Sequence, residues 1–372
     1  MGLSFRVRVA LLLIMLVIVI VGFKLGSRAL QKRKMRSLMQ KNCGGTTNSD
    51  TILVVMSNDR DATCGTTIDS LYNQAFCPFR VSVGVVETIR PGEPSCAAQY
   101  AKLAKRAPRS FVDQVRCLRR KAKAAHGPAY DRRTVLKRLY QGEKYLWFLH
   151  SGALPTQHWD KLLLSDGNVV GPGNVWITCP LRNSSVRDPL VPGRACALQF
   201  DIRTNLVELR RASIATAPKV PFPTPYWIST NAFGRAEHIL NASAYTPSMD
   251  AAWIGEDAYM SDVLQHKGAS FFIPTVAPAT IQAKYVKTTP DPTFLQSSVA
   301  KASHQMMAQT LRSMAKEEES TFARQAGIEY DTNTITVHGL LGLRPHESAD
   351  TIERMFGSRY AYERARDALI SE

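Results

Sequence analysis

The sequence contains few acidic side chains and lacks an apolar run of ordinary transmembrane length. Asp and Glu number 31 against 47 Lys and Arg, so the formal net charge is +16. The main apolar segment, Val9 to Phe23, has fifteen residues, whereas a membrane-spanning helix usually needs about 20. Internal repeats and low-complexity tracts are also absent, which argues against a repeat array. Because charged residues are only 21% and hydrophobic residues 45% of the chain, we expect a folded domain rather than wholesale disorder.

The segment Val9 to Phe23 is predicted to be an uncleaved signal anchor. Arg6 and Arg8 precede it and Lys24 follows it, and the thin membranes of the early secretory pathway accept a short span. A buried core helix is one alternative, but nothing around an N-terminal segment with basic flanks supplies the rest of such a core. A cleaved signal sequence is another, although no small-x-small cleavage site follows Gly22.

The predicted organisation has four parts. A cytosolic tail (1–8) precedes the transmembrane segment (9–23), a basic stem or linker (24–49) follows, and a lumenal domain occupies residues 50–372. This describes a single-pass type II protein of the Golgi or endoplasmic-reticulum membrane. The stem carries more basic residues than the tail, which by the positive-inside rule favours the opposite orientation. Long domains, however, translocate largely regardless of flanking charge.

Cysteine usage and glycosylation sequons favour the lumenal orientation. All seven cysteines lie between Cys43 and Cys196, a density that suits disulfide bonds in an oxidising compartment. Because the number is odd, at least one cysteine is unpaired or pairs between chains. Asn183-Ser184-Ser185 and Asn241-Ala242-Ser243 are acceptor sequons for N-linked glycans. The sequence therefore predicts a disulfide-bonded glycoprotein.

The folded domain begins with the pattern of an α/β sheet of the nucleotide-binding kind. Thr51 to Met56 and Val81 to Val86 are apolar, β-branched runs typical of strands buried on both faces, and Thr66 to Phe76 between them predicts an amphipathic helix. This βαβ unit indicates a mostly parallel sheet. Tyr145 to Leu149 is a third buried strand, and it stops at the polar trio His150-Ser151-Gly152. Since ligands of open α/β sheets bind outside the carboxyl ends of strands, the trio is predicted to face a binding crevice.

Much of the positive charge is local. Between Lys102 and Arg138 there are thirteen Lys or Arg residues against Asp113 and Asp131, and the stretch Arg109 to Ala125 is predicted to be a basic helix. One interpretation is a solvated helix face. The other is attraction of an anionic ligand such as a nucleotide diphosphate, or of an acidic membrane or protein surface. Nucleic acid is not expected as a partner of a protein that enters the secretory pathway.

Four separated blocks resemble the glycosyltransferases that add α-linked N-acetylglucosamine to hydroxyproline, serine or threonine of polypeptides, glycosyltransferase family 60. In the third block, Tyr245-Thr246-Pro247 and Gly255-Glu256-Asp257 stand where the family has Tyr-Asp-Pro and Gly-Glu-Glu. The order and spacing of the blocks, which span about residues 50 to 360, carry the resemblance rather than any single motif. The blocks are Ile52 to Cys64, Gly127 to Asp160, Ala232 to Tyr259 and Gly339 to Gly357.

The resemblance implies a GT-A fold, a uridine-diphosphate sugar donor and transfer with retention of anomeric configuration. It also implies catalytic roles for Glu256 and Asp257, for which the alternative is a pair of acids that favour a helix N-terminus. For Arg60 and Asp61 the alternative is a local salt bridge in a turn. The residues that the resemblance assigns to donor binding are Ser57, Arg60, Asp61, Arg132, His150, Ser151 and Lys284.

The family also implies a divalent cation, Mn²⁺ or Mg²⁺, which neutralises the departing diphosphate. This chain departs from the family's ligand pattern. The Asp-x-His of the family falls on His150-Ser151-Gly152, and the late histidine falls on Ala283. His150 is therefore the one candidate metal ligand that this pattern leaves. In some metal-independent transferases of this fold a basic group takes the cation's place, and Lys284 and Arg132 are the candidates for that role.

Three functional hypotheses follow. The first is a glycosyltransferase that moves N-acetylglucosamine, or a related hexosamine, from a uridine-diphosphate sugar to hydroxyl groups of a polypeptide acceptor. The second is a catalytically inactive paralogue that binds the donor or acceptor and acts as a partner subunit of another glycosyltransferase. The third, a basic membrane-anchored adaptor, fits the charge but leaves the four matched blocks unexplained.

Overall fold

The computed structural model describes residues 43, 50–90, 92–105, 111–121, 126–186, 188–252, 254–281, 297–316, 321–344 and 347–370. The chain divides into two compact units, 1–50 and 51–372, and every element named below belongs to the second. The predicted membrane segment 9–23 lies outside the described residues, as do Ala283 and Lys284. None of the helices in the described ranges combines the length and apolarity needed to cross a membrane.

The second unit consists of strands and helices that alternate in its first half. The strands are β1 (Ile52–Asp59), β2 (Val81–Ile89), β3 (Val115–Lys121), β4 (Tyr145–His150), β5 (Ala153–Pro155), β6 (Val175–Thr178), β7 (Arg182–Asn183), β8 (Gly193–Phe200), β9 (Val207–Ser213), β10 (Phe222–Thr224), β11 (Asn231–Arg235), β12 (Ser270–Ile273), β13 (Ala279–Ile281), β14 (Ile328–Glu329) and β15 (Thr334–Ile335). The helices are α1 (Cys64–Gln74), α2 (Cys96–Ala104), α3 (Pro128–Arg138), α4 (Trp159–Val170), α5 (Ala236–Ala242), α6 (Glu256–His266), α7 (Ser298–Lys316), α8 (Thr321–Ala326), α9 (Val337–Leu341), α10 (Ala349–Phe356) and α11 (Arg359–Ile370).

Eight strands form one mainly parallel sheet in the order β3-β2-β1-β4-β11-β6-β12-β10. β1 runs parallel to β2 and β4, β2 to β3, and β6 to β12. β11 is antiparallel to both of its neighbours, and β10 is antiparallel to β12. Since β4 and β6 are both antiparallel to β11, they point the same way. The carboxyl ends of β1, β2, β3, β4, β6 and β12 therefore meet at one edge, and the predicted α/β class with a mostly parallel sheet is confirmed.

The strands form where the sequence predicted them because their side chains are buried on both faces. Every residue from Ile52 to Met56 is fully buried, as is the run from Leu146 to Leu149. Trp147 in β4 stacks on Trp159 at the start of α4 with ring centroids 4.3 Å apart. This packing helps to hold β4, which ends with His150 at the sheet edge.

The predicted basic helix over Arg109 to Ala125 is wrong, because Val115–Lys121 is strand β3. Among the described strands, β3 pairs with β2 alone and lies at the edge of the sheet, where charged side chains are common. Arg119 is mostly exposed, and its Nε lies 3.4 Å from the buried carboxylate of Glu87. Apolar and basic residues mixed at short intervals fit a helical spacing as well as an edge strand, which explains the error.

The predicted disulfide bonding is confirmed for Cys64 and Cys96, whose Cα atoms are 5.3 Å apart. This bond joins the first residue of α1 to the first residue of α2. Cys117, Cys179 and Cys196 are free thiols. The expectation that at least one cysteine is unpaired within the chain is therefore also confirmed.

Candidate functional site

The carboxyl ends of β1 and β4 lie side by side and, with the turns that follow them, carry five of the predicted donor-binding residues, Arg60 among them. In the parallel register, Ser57 of β1 is paired with His150 of β4. Just beyond the two strands, the Ser151 hydroxyl donates a hydrogen bond of 2.9 Å to Asp61 Oδ2. Ser57, Asp61, His150 and Ser151 therefore meet at one sheet edge, where an open α/β sheet places its ligand.

The Asp61 carboxylate organises the turn that follows β1. Its Oδ1 accepts hydrogen bonds from the backbone N–H and the hydroxyl of Thr63, at 2.8 and 2.6 Å, while Oδ2 accepts from Ser151. Asp61 is buried, and both of its oxygens are engaged within the protein. Asp61 therefore links the turn after β1 to the turn after β4.

Arg60 occupies a left-handed backbone conformation, with φ of 58°. Its side chain is about one-third exposed and forms an ion pair with its neighbour Asp59, with Nε 3.3 Å from Oδ1. The local salt bridge that the sequence offered as an alternative is therefore present. A left-handed conformation in a residue other than glycine is held by its surroundings, here by a hydrogen bond of 3.1 Å from the Arg60 N–H to Thr88 O.

A buried aspartate that the sequence argument did not assign lies directly behind Ser57. Asp131 in α3 is 1% exposed. Its Oδ2 accepts a hydrogen bond of 2.7 Å from the Ser57 hydroxyl, and its Oδ1 lies 2.9 Å from Arg120 Nη2. The same Arg120 nitrogen donates to Thr88 Oγ1 at 3.0 Å. Burial raises the pKa of Asp131 to about 7, while Arg120 and Ser57 act in the opposite direction. Asp131 and Arg120 together therefore link the ends of β1, β2 and β3.

Arg132 and Glu256 form a buried ion pair with Tyr245. The Arg132 Nη1 atom is 2.5 Å from Glu256 Oε2, and the side chains are 5% and 6% exposed. The Tyr245 hydroxyl donates to Glu256 Oε1 at 2.9 Å. Burial raises the pKa of Glu256, and Arg132 opposes that shift. The guanidinium that was a candidate for the diphosphate is therefore already paired with a carboxylate.

Asp257 differs from its neighbour Glu256 because it is only half-buried. One of its oxygens accepts a hydrogen bond of 2.7 Å from the backbone N–H of Ser229. The next residue, Thr230, accepts a bond of 3.1 Å from the His150 N–H. Asp257 and His150 therefore both bond the short segment that leads into β11, and the first turn of α6 reaches the same sheet edge as β1 and β4.

The described residues do not fit a divalent metal centre at this edge. Within the described ranges, no group of three or more His, Cys, Asp or Glu side chains could hold an ion. His150 Nδ1 accepts a hydrogen bond of 2.9 Å from the Gly152 N–H, so this ring nitrogen is already engaged within the protein. Both oxygens of Asp61 are engaged, as described above. Lys284, the other basic candidate, lies outside the described residues.

Two further concave surfaces have linings that include none of Ser57, Asp61, His150 and Ser151. A cleft of about 240 Å³ is lined by Tyr145, Val175 and Arg235, which stand at the opposite, amino edge of the parallel strands. A shallow groove of about 810 Å³ lies between residues 246–248 and α7. We place the candidate site at the carboxyl edge because polar side chains from several elements converge there, whereas the cleft and the groove hold no such cluster.

The structure is an α/β protein in which polar side chains converge at one sheet edge, and comparison with known proteins gives the family. Residues 51–110 and 98–325 match the family described as Glycosyltransferase (GlcNAc). Because this match covers well over half of the chain, the protein belongs to that glycosyltransferase family. No curated protein matches the sequence.

Solved structures that align with this chain are remote in sequence. TarS from S. aureus, residues 1–349 in complex with UDP-GlcNAc, aligns with 12% identity and a TM-score of 0.41, covering 85% of this chain and 88% of that one. Mannosyltransferase PcManGT from Pyrobaculum calidifontis, in complex with GDP-Man and Mn²⁺, aligns with 12% identity and a TM-score of 0.40, covering 80% and 84%. Neither likeness is close enough to assign a ligand or residue role here.

Proposed function

We propose that the protein transfers N-acetylglucosamine, or a related hexosamine, from a uridine-diphosphate sugar to hydroxyl groups of a polypeptide with retention of configuration. The observation that carries this proposal is the family match over residues 51–110 and 98–325, which includes both strand ends and the first turn of α6. The polypeptide acceptor, the retaining stereochemistry, the GT-A fold and the place in glycosyltransferase family 60 come from the four sequence blocks.

The donor is proposed to bind across the carboxyl ends of β1 and β4. Ser57, Asp61 and Ser151 shape the floor of this site through the hydrogen bonds described above, and the exposed Arg60 stands at its rim. His150 lies beside Ser57 in the register of β4 with β1 and is proposed to face the donor phosphates. Lys284 keeps its proposed donor contact and lies outside the described residues.

The two acids of α6 are proposed to have different tasks. Asp257 is half-buried and has one carboxylate oxygen free of the Ser229 bond, so it can contact the acceptor hydroxyl or the donor sugar. Glu256 holds Arg132 and Tyr245 in a buried cluster. It therefore acts by fixing the start of α6, and with it the position of Asp257.

Membrane attachment through residues 9–23 and a lumenal domain in the Golgi or endoplasmic reticulum belong to the same proposal. The Cys64–Cys96 disulfide supports an oxidising compartment, and both sequon asparagines, Asn183 and Asn241, are exposed. The test is a gel shift of the cell-expressed protein on removal of N-glycans. We expect a shift that Asn183→Gln together with Asn241→Gln abolishes, and an unshifted wild-type band contradicts the lumenal orientation.

The donor proposal is tested by calorimetric titration of the purified full-length protein with uridine diphosphate, once with Mn²⁺ and once with chelator. Binding in either condition supports the donor site, and the difference between the two shows whether a cation takes part. Absence of binding in both overturns the proposal in favour of the adaptor. The exposed Asn73→Ala variant serves as a control that binds like the wild type.

Transfer is then followed by donor hydrolysis in the wild type, His150→Ala and Asp257→Ala. We expect hydrolysis in the wild type and its loss in both variants. Donor binding without hydrolysis or transfer by the wild type contradicts the enzyme and identifies the inactive partner subunit instead.

A further inference from the structure

We infer that Asn58 and the Cys64–Cys96 disulfide position the donor-binding turns of this glycosyltransferase. The inference rests on the proposed function, because it assigns to these residues the task of holding Asp61 and Ser151 in place for the donor. None of the three residues contacts the reacting atoms in this account, so they are positioning residues. The evidence is a closed ring of buried contacts around the ends of β1 and β4.

The first part of the ring is the side-chain amide of Asn58, which is 1% exposed. Its Oδ1 accepts a hydrogen bond of 3.1 Å from the Asp61 N–H, and its Nδ2 donates at 3.1 Å to Cys96 Sγ. Both ends of one buried amide are therefore used. The turn that carries Asp61 is anchored to a disulfide sulfur on a different element.

Cys96 is itself fixed from two sides. Its N–H donates at 2.7 Å to Glu87 Oε2, a fully buried carboxylate in β2. Its sulfur is bonded to Cys64 at the start of α1. Next to that bond α1 and α2 touch so closely that a Cβ at Gly65 would lie 2.3 Å from Gln99 Cβ. The disulfide therefore lies where α1 and α2 pack closely against each other.

The ring closes through α1. Thr67, in the first turn of this helix and fully buried, donates from Oγ1 to Ser151 O at 2.5 Å and to Ala153 O at 2.8 Å. Ser151 Oγ in turn donates to Asp61 Oδ2 at 2.9 Å. The sequence of contacts therefore runs from Asp61 through Asn58, the disulfide, α1 and Ser151 back to Asp61.

Such a ring sets the distance between the two turns before the donor arrives. A site whose side chains are locked by supporting contacts binds more tightly, because less conformational freedom is lost on binding. Opening the ring leaves the donor-contacting groups in the protein but frees the turns to move. We therefore expect donor affinity to fall, whereas turnover by donor-saturated enzyme changes little.

The test is the Kd for uridine diphosphate of full-length Asn58→Ala, measured by calorimetry beside the wild type and Asn73→Ala. Asn73 lies on the exposed face of α1 and bonds only Asp69 among the described contacts, so it is a matched asparagine control. Removal of two buried hydrogen bonds is expected to weaken binding about tenfold, which corresponds to about 1.4 kcal/mol. Asn73→Ala is expected to bind within twofold of the wild type.

Two further variants keep the test decisive if Asn58→Ala fails to fold. Thr67→Val removes the bonds to the β4 turn at nearly constant volume, and paired Cys64→Ser and Cys96→Ser opens the disulfide, with Cys117→Ser as the thiol control. We expect weaker donor binding and an increased KM at similar kcat in both. A wild type that fails to bind uridine diphosphate refutes the proposed function. If the wild type binds uridine diphosphate and the ring variants have lower melting temperatures but bind it equally well, the ring only stabilises the fold. That result overturns this inference.

Discussion

The Arg132–Glu256 ion pair gives the sharpest quantitative prediction about how the site is built. Both side chains are nearly fully buried, 5% and 6% exposed, so removing one leaves an unpaired charge away from water. That change typically destabilises a protein by about 3–5 kcal/mol. Loss of the Tyr245 hydrogen bond adds about 1 kcal/mol when Glu256 is the residue removed. We therefore expect Glu256→Leu to be at least as destabilising as Arg132→Met.

The double variant should lose far less than the sum of the single losses. With both charges gone, two apolar side chains of similar volume fill the space, and such replacements are often close to neutral. We expect a coupling energy of about 2–3 kcal/mol between the two positions. The pair would then be a structural support for α6, as the assignment of Glu256 to positioning requires.

The assay is urea unfolding of the full-length proteins, followed by tryptophan fluorescence because Trp147 and Trp159 are fully buried. Arg359→Met is the control, since the Arg359 side chain is 83% exposed and its ion pair among the described residues is with Glu363, an exposed pair worth less than about 1 kcal/mol. Single losses below about 1 kcal/mol, or single losses that simply add in the double variant, would refute the reasoning.

Three further predictions concern single residues. Asp257→Asn should lower kcat for transfer by about a hundredfold or more while changing the urea midpoint little. A large fall in the urea midpoint together with the fall in kcat would contradict a catalytic role for Asp257. Burial raises the pKa of Asp131 to about 7, so the stabilisation contributed by Asp131 should be complete below about pH 4 and should decline as the pH rises to 7. Asp131→Asn should make the melting temperature depend less on pH over this range. Gly127→Ala should destabilise by about 1–3 kcal/mol, since its Cβ would lie 2.0 Å from Ala252 O, and a neutral effect would show that this contact can relax.

The buried strands and their polar ends could be predicted from the sequence. Apolar, β-branched runs such as Thr51 to Met56 have few other solutions in a domain of this size, and the register then places Ser57 beside His150. The resemblance blocks identified which polar residues to follow. The edge strand β3 was misread because its three arginines, which pair with carboxylates from other elements, interrupt the apolar pattern of a strand.

The supporting contacts could not be predicted, because they join residues that are far apart in the chain. Asn58 and Cys96 are 38 residues apart, and Thr67 and Ser151 are 84 apart, so no local pattern reveals them. Asp131 was visible as one of two acids in a basic stretch, but its bond to Ser57 depends on how α3 packs behind β1. The pairing of Arg132, a candidate phosphate ligand, with Glu256 likewise spans 124 residues.

The central claim is that the donor binds at the carboxyl edge of the sheet, across the ends of β1 and β4. The most direct test is hydrogen–deuterium exchange of the full-length protein with and without uridine diphosphate. We expect protection of peptides that cover residues 57–63 and 150–154, with no change at residues 167–173 beside the cleft at the amino edge. Protection at 167–173 without any at the two strand ends would contradict the account.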